Sequence, residues 1–319
     1  MRKSQKNQIL SVVGLLDKAH GAFRKAMETG NADGALTLME QCQDSAIQIG
    51  GMIESTEGEG FATVGLLENY CELLYQTYEI IRQRQPVNEG KVYKSLRREL
   101  IRIENSVKND IPVRASVLFL PYKASMWDSL ESIWKAADAD PDCDAYVVPI
   151  PYFDKNPDGS FSRMHYEGEQ YPDYVPVISW ETYDLAAERP DVIYIHNPYD
   201  QCNHVTSVHP RFYARELKNF TDQLVYIPYF ILNEVDPDNQ KAVDNMKHFC
   251  FVPGTLYADR VVVQSENMRQ IYINEFIKAA REMGLSGEYV DRKVLEKKFL
   301  GLGSPKIDKV LSARKEDYI

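Results

Sequence analysis

The residue types best suited to chemistry crowd into one stretch, Ile195-His-Asn-Pro-Tyr-Asp200, where imidazole, amide, phenol and carboxylate follow directly on an apolar run. An imidazole titrates near neutrality, so His196 is the candidate general base toward a hydroxyl. Asp200 is placed to orient that base or to hold a substrate hydroxyl. Pro198 fixes its own φ and pushes Asn197 toward an extended conformation, which leaves Asn197 and Tyr199 to shape a pocket. The structural alternative is a turn whose polar groups satisfy backbone donors. His204 and His209 follow, but Asp200, His204 and His209 match no zinc-ligand spacing, and neither a metal nor a cofactor is expected.

A second group of candidates lies after other apolar runs. Pro121-Tyr-Lys123 leads to Ser125, read as the N-cap of a helix through Trp127, and a lysine beside a helix N-terminus suits phosphate or carboxylate. Tyr229 follows the run ending at Ile227, and Ser265 opens another helix. Ser304 and Lys306 sit in Gly303-Ser-Pro-Lys306. There is no GxGxxG after the first strand, no GxxxxGK[ST] loop and no HExxH. Arg211, Arg215 and Lys218 read as a solvated helix face.

These residues need a scaffold, and the pattern of apolar residues predicts one. Residues 1–111 read as four amphipathic helices in hairpins or a small bundle. They cover 3–29, a second helix stopped by Gly50-Gly51, a third ended by Pro86 and a fourth ended by Pro112. No ionisable constellation marks their apolar faces, and His20 and Cys71 read as filler at helical spacing. From 112 to 319 the pattern switches to short β runs alternating with helices, the signature of a Rossmann-like parallel sheet. Strands are expected at 115–120, 145–150, 175–179, 191–195, 223–227, 260–263 and 298–301. The polar stretch 152–175 is a long excursion.

Composition narrows the function. A net charge of −10, from 47 acidic and 37 basic residues, argues against a nucleic-acid partner. The five cysteines form no CxxC pair, which fits free thiols in a reducing cytoplasm. No run approaches the ~18–20 apolar residues of a membrane span, and the basic start resembles no signal peptide.

Two segments carry a family resemblance: Val261-Val-Val-Gln-Ser265, and Phe299-Leu-Gly-Leu-Gly-Ser304-Pro-Lys-Ile-Asp308. Together with Phe119-Leu-Pro-Tyr-Lys-Ala-Ser-Met-Trp-Asp-Ser-Leu-Glu131 and Tyr194-Ile-His-Asn-Pro-Tyr-Asp200, they resemble the CDP-glycerol glycerophosphotransferase-like family of teichoic-acid polymerases. The resemblance implies the N-terminal domain of a GT-B fold, with the acceptor, a polyol phosphate or glycan, bound at the strand ends. His196 would be the base there, and Lys123, Ser265 and Lys306 would handle phosphate. CDP-glycerol or a related activated donor would bind a second Rossmann domain expected beyond Ile319, without which the chain should be inactive. The resemblance also implies a cytoplasmic protein at the inner face of the membrane. The family's His-Gly-Thr-Pro motif falls at Tyr226-Ile-Pro-Tyr-Phe230, which has no histidine. The alternative is a non-catalytic module that binds a small anion or a partner and self-associates, for instance as a homodimer, through its helical segment.

Overall fold

The computed structural model describes residues 1–312, and the chain divides into two compact units, Met1–Arg114 and the segment from Ala115 onward. That division falls close to the expected break at Pro112.

The first unit is a four-helix bundle of α1 (Lys3–Glu28), α2 (Ala32–Glu57), α3 (Ala62–Arg82) and α4 (Glu89–Asn109). Apolar residues at steps of three and four give each helix one buried stripe, such as Ile9, Val13, Leu16 and Phe23 on α1. The stripes of all four helices merge in a single core. Asn31 and Asn88 cap α2 and α4 by accepting from the Gly34 and Lys91 amides. Each helix packs on two neighbours, so the pair α1–α4 lies opposite the pair α2–α3. The expected stop at Gly50-Gly51 is not there. Helix α2 continues because Ile49 and Ile53 carry its buried stripe onward, and it ends at Gly58, whose φ of 93° favours glycine. His20 is buried, and its Nε2 lies 2.6 Å from the Tyr70 hydroxyl; burial lowers its pKa to about 4.

The second unit is built on a six-stranded parallel sheet. Its strands are β1 (Ala115–Leu120), β2 (Cys143–Val147), β5 (Val192–Ile195), β7 (Gln223–Tyr226), β8 (Arg260–Val263) and β9 (Phe299–Gly301), in the order β2-β1-β5-β7-β8-β9. Strand β3 (Tyr152–Lys155), β4 (Phe161–His165) and β6 (Thr206–Val208) form a separate antiparallel sheet, β4-β3-β6. The expected strand at 175–179 shrinks to one parallel bridge, Val177 to Val147, because Pro176 within it removes a ladder donor. With that bridge counted, the parallel sheet reads 3-2-1-4-5-6-7 in chain order, and the order reverses between β1 and β5. The stretch 152–175, read as a long polar excursion with no strand assigned, supplies β3 and β4.

Both faces of the sheet are apolar, as a parallel sheet requires. Leu118, Leu120, Ile193, Ile195, Leu224 and Val261 face a core shared with α10 (Glu266–Glu282), the longest helix of this unit. Val117, Phe119 and Val225 face Trp127, Leu130 and Trp134. The expected helix 125–137 is broken into a 3-10 turn, Ala124–Ser129, and α5 (Glu131–Asp138). Shorter helices fill the remaining connections: α6 (Leu185–Glu188), α7 (Ala214–Leu217), α8 (Gln240–Met246), α9 (Pro253–Tyr257), α11 (Arg292–Lys298) and α12 (Pro305–Ser312).

Helix α12 is tied to α5 and the 3-10 turn by charge. Lys306 Nζ lies 2.6 and 2.7 Å from the Asp128 carboxylate, and Lys309 Nζ lies 3.0 Å from Glu131. Burial opposes the charge on Glu131, but hydrogen bonds from Lys135, Tyr174 and Lys309 outweigh it and hold the carboxyl at about 2.

Gly51 is an exposed residue in the interior of α2, with open space where a Cβ would stand. Replacement by alanine should stabilise the bundle by about 0.5–1 kcal/mol, read as a raised urea midpoint for loss of helical circular dichroism.

Candidate functional site

In open α/β sheets the loops leave a crevice where strand order reverses. Here that crevice lies between the segments after β1 and β5, Pro121–Lys123 and His196–Asp200. His196 joins them. It is fully buried, and its Nε2 accepts the Tyr122 amide at 2.9 Å. The proton therefore sits on Nδ1, which lies 2.8 Å from Ser129 Oγ, and Ser129 donates in turn to the Met126 carbonyl at 2.7 Å. Burial drives the His196 pKa down to about 3. The base role expected for His196 does not fit, because its one lone pair is engaged by a backbone amide and its ring is sealed from solvent.

Asp200 does not orient His196. Its carboxylate caps α7, accepting the Ala214 amide at 2.8 Å, and Ser129 takes the orienting place. Asp200 is 3% exposed, and burial lifts its pKa to about 7 against the lowering effect of that bond. Its φ of 47° is costly for a residue with a side chain. Asn197 is buried and turns its Oδ1 toward the Tyr199 amide, 3.5 Å away. The loop is clamped from below by α9. The Gly254 amide donates to the Pro198 carbonyl at 2.8 Å, and a Cβ on Gly254 would come within 2.9 Å of Pro198 Cα. Glycine is required at this close approach. Most of the stretch expected to line a cleft is thus closed off.

Above this buried layer lies an aromatic one. Tyr122 packs edge-on against His196 at 5.4 Å and Tyr152 at 5.5 Å, and Tyr229 lies 5.9 Å from His196. The Tyr122 and Tyr229 rings lie 6.0 Å apart, and burial raises the pKa of both. Tyr199, half-buried, is raised to about 12 by burial and the neighbouring Tyr229. Lys123 Nζ stands 5.0 Å from the Tyr152 ring centroid and 5.6 Å from that of Tyr122. No carboxylate pairs with Lys123 among the described residues.

The remaining candidates divide. Ser125 is exposed and is not a cap; the amide at the start of its turn, Ala124 N–H, is taken at 2.9 Å by Glu167, which also accepts from Tyr152 at 2.7 Å. Ser265 caps α10 by accepting the Met268 amide and donates to Glu234 at 2.7 Å. Lys306 is paired with Asp128, so the phosphate role expected for it is not open to it as it stands. Ser304 Oγ is buried without a hydrogen-bond partner among the described residues. It borders an open groove of about 940 Å³ on the sheet face with Val225, Val262, Leu300 and Ile307. The walls of that groove are mainly aliphatic, with Arg260 and Asp308 at its edge, and it lies on the β7–β9 side of the sheet. The structure unites Lys123, His196, Tyr199 and Tyr229; Ser265, Ser304 and Lys306 belong to the β8–β9 side.

Sequence reasoning missed Ser129, Tyr152 and Glu167. Ser129 follows Trp127 on what reads as an apolar helix face, and Tyr152 and Glu167 lie in the excursion. Their signal was the density of Tyr and Glu there. Among the described residues no group of three or more His, Cys, Asp or Glu side chains could hold a metal ion. Compared with protein-family models, curated proteins and solved structures, the chain matches none.

The two buried titratable groups pull stability in opposite directions. A lowered folded pKa makes His196 stabilising above its unfolded value of ~6.5, and that contribution is lost as pH falls toward 3. A raised folded pKa makes Asp200 cost stability as pH rises from ~4 to about 7. The variant Asp200→Asn should therefore gain on the wild type across that window, by up to about 1.4 kcal/mol per pH unit in denaturant melts. His196→Ala strands the Tyr122 amide and Ser129 and should cost about 2–4 kcal/mol at neutral pH.

Proposed function

We propose that the α/β unit is the acceptor-side half of a glycerophosphotransferase-like pair of GT-B type. It would hold a phosphorylated polyol or glycan at the switch point while a nucleotide-binding domain presents CDP-glycerol across the cleft. One observation carries this reading: the Lys123 ammonium lies over two tyrosine rings at the point where strand order reverses, with no carboxylate partner among the described residues. A cation so placed is part-shielded from water and keeps its donors for a phosphate oxygen. The hydroxyls of Tyr199 and Tyr229 offer donors and acceptors to a polyol. The strand order, counted with the Val177 bridge, supports the same reading.

His196 then acts as a positioning residue. It fixes the Tyr122 amide and the 3-10 turn, and so the base of the cradle. The proton of the attacking hydroxyl must pass to a group contributed by the nucleotide-binding domain or to the donor phosphate. Work on cell-wall polymers would put the protein in the cytoplasm at the inner face of the membrane. No described helix is long and apolar enough to cross a membrane.

The sealed ring of His196 favours a second reading, a non-catalytic module that binds small phosphorylated anions. Calorimetric titration of glycerol 3-phosphate into the wild type and Lys123→Met tests the shared premise. Binding by the wild type and a loss of about tenfold or more in the variant is expected; no heat, or equal affinity, would sink both readings. Transfer from CDP-glycerol when a nucleotide-binding domain is added, abolished in Lys123→Met, separates the transferase from the module.

A further inference from the structure

The bundle is electrically two-sided. Helices α1 and α4 carry eleven lysines and arginines against five acidic residues, whereas α2 and α3 carry one arginine against eight acidic residues. These pairs lie on opposite sides of the bundle.

Each side has a defined relief. On the basic side a hollow of about 640 Å³ runs along α4, lined by Arg24, Tyr93, Lys94, Arg97, Arg98 and Ile101. Ile101 is 47% exposed within it. Among the described residues Arg24, Arg97, Arg98 and Arg102 each have one carboxylate neighbour, and all four arginines are at least half exposed. Such pairs are weak and exchange readily. On the acidic side, Glu40, Asp44, Ile47 and Glu54 fall on one stripe of α2, and Glu68, Glu72, Tyr75 and Glu79 on one stripe of α3. Ile47 is 60% and Tyr75 51% exposed, each flanked by carboxylates. An apolar ridge edged by acids thus stands opposite a hollow edged by bases.

We propose that the bundle associates head to tail with a second copy of this chain, the Ile47–Tyr75 ridge of one seating on the Arg97–Ile101 hollow of the next. Charge complementarity singles out this occupant, because each copy carries both halves of the contact. Size agrees. Helices of 21 and 26 residues span about 30–40 Å, and a pair is about 20 Å wide. That face offers roughly 600–800 Å² per partner, close to a standard interface. The contact is heterologous, so it grows into rings or filaments instead of stopping at a two-fold dimer. It stands on the bundle alone and does not depend on the ligand of the α/β unit.

Sedimentation of the full chain over a concentration series at low and high salt tests the proposal. Association that weakens with salt is expected. Arg97→Glu with Arg98→Glu, and separately Glu68→Lys with Glu72→Lys, should each weaken it by about tenfold or more. Mixing the two variants should restore it, which damage to the fold would not allow. The proposal is overturned if the wild type stays monomeric at low salt, or if either variant associates as the wild type does. It is equally overturned if mixing rescues nothing, or if the basic face binds phosphatidylglycerol vesicles while the chain remains monomeric.

Discussion

The imidazole of His196 holds together the place where the parallel sheet opens. Where strand order reverses, the segments after β1 and β5 diverge, and the backbone there loses the ladder partners it would otherwise have. The Tyr122 amide would be left buried without an acceptor, at a cost of about 1–3 kcal/mol. One neutral ring answers that need and, through Ser129 and the Met126 carbonyl, fastens the next turn of chain. Everything above it depends on this fixture: Tyr122 has its backbone fixed by His196 and packs on its ring, and Lys123 follows in sequence.

The loop that contains His196 is held at three further points. Gly254 grips Pro198, Ala214 engages Asp200, and Asn197 turns back on Tyr199. A segment fixed so often moves little, which is what a pre-organised binding surface requires. It also moves the accessible chemistry outward, from imidazole and carboxylate to ammonium and phenol. Crowded polar side chains after a strand can thus be the foundation of a site without being its reacting groups.

Much of the architecture was legible in the sequence because burial leaves a periodic trace. The four bundle helices show it at steps of three and four, and Ala115–Leu120 and Arg260–Val263 show it as unbroken apolar runs. Three features left no such trace. The antiparallel sheet of β3, β4 and β6 is made of short, half-exposed strands whose pairing is set by tertiary contacts. The run at 175–179 has the residues of a strand, but Pro176 within it cannot donate to a ladder. Gly50-Gly51 looked like a stop because local propensity says so, yet packing through Ile53 overrules it. Within the site, proximity to strand ends identified Lys123, Tyr199 and Tyr229. The burial that disarms His196 and Asp200 depends on α7, α9 and the 3-10 turn, elements distant in sequence or too short to read.

Glu234 gives this arrangement a handedness. Its carboxylate lies against Ser265 and Gln264 at the start of α10, where the positive end of a long helix would otherwise face solvent. A tethered carboxylate holds that position at high effective concentration, so a dissolved anion of equal charge gains little by displacing it. The N-terminus of α10 on the β8 side is therefore already answered by the chain's own carboxylate, whereas the Lys123 ammonium after β1 meets only tyrosine rings.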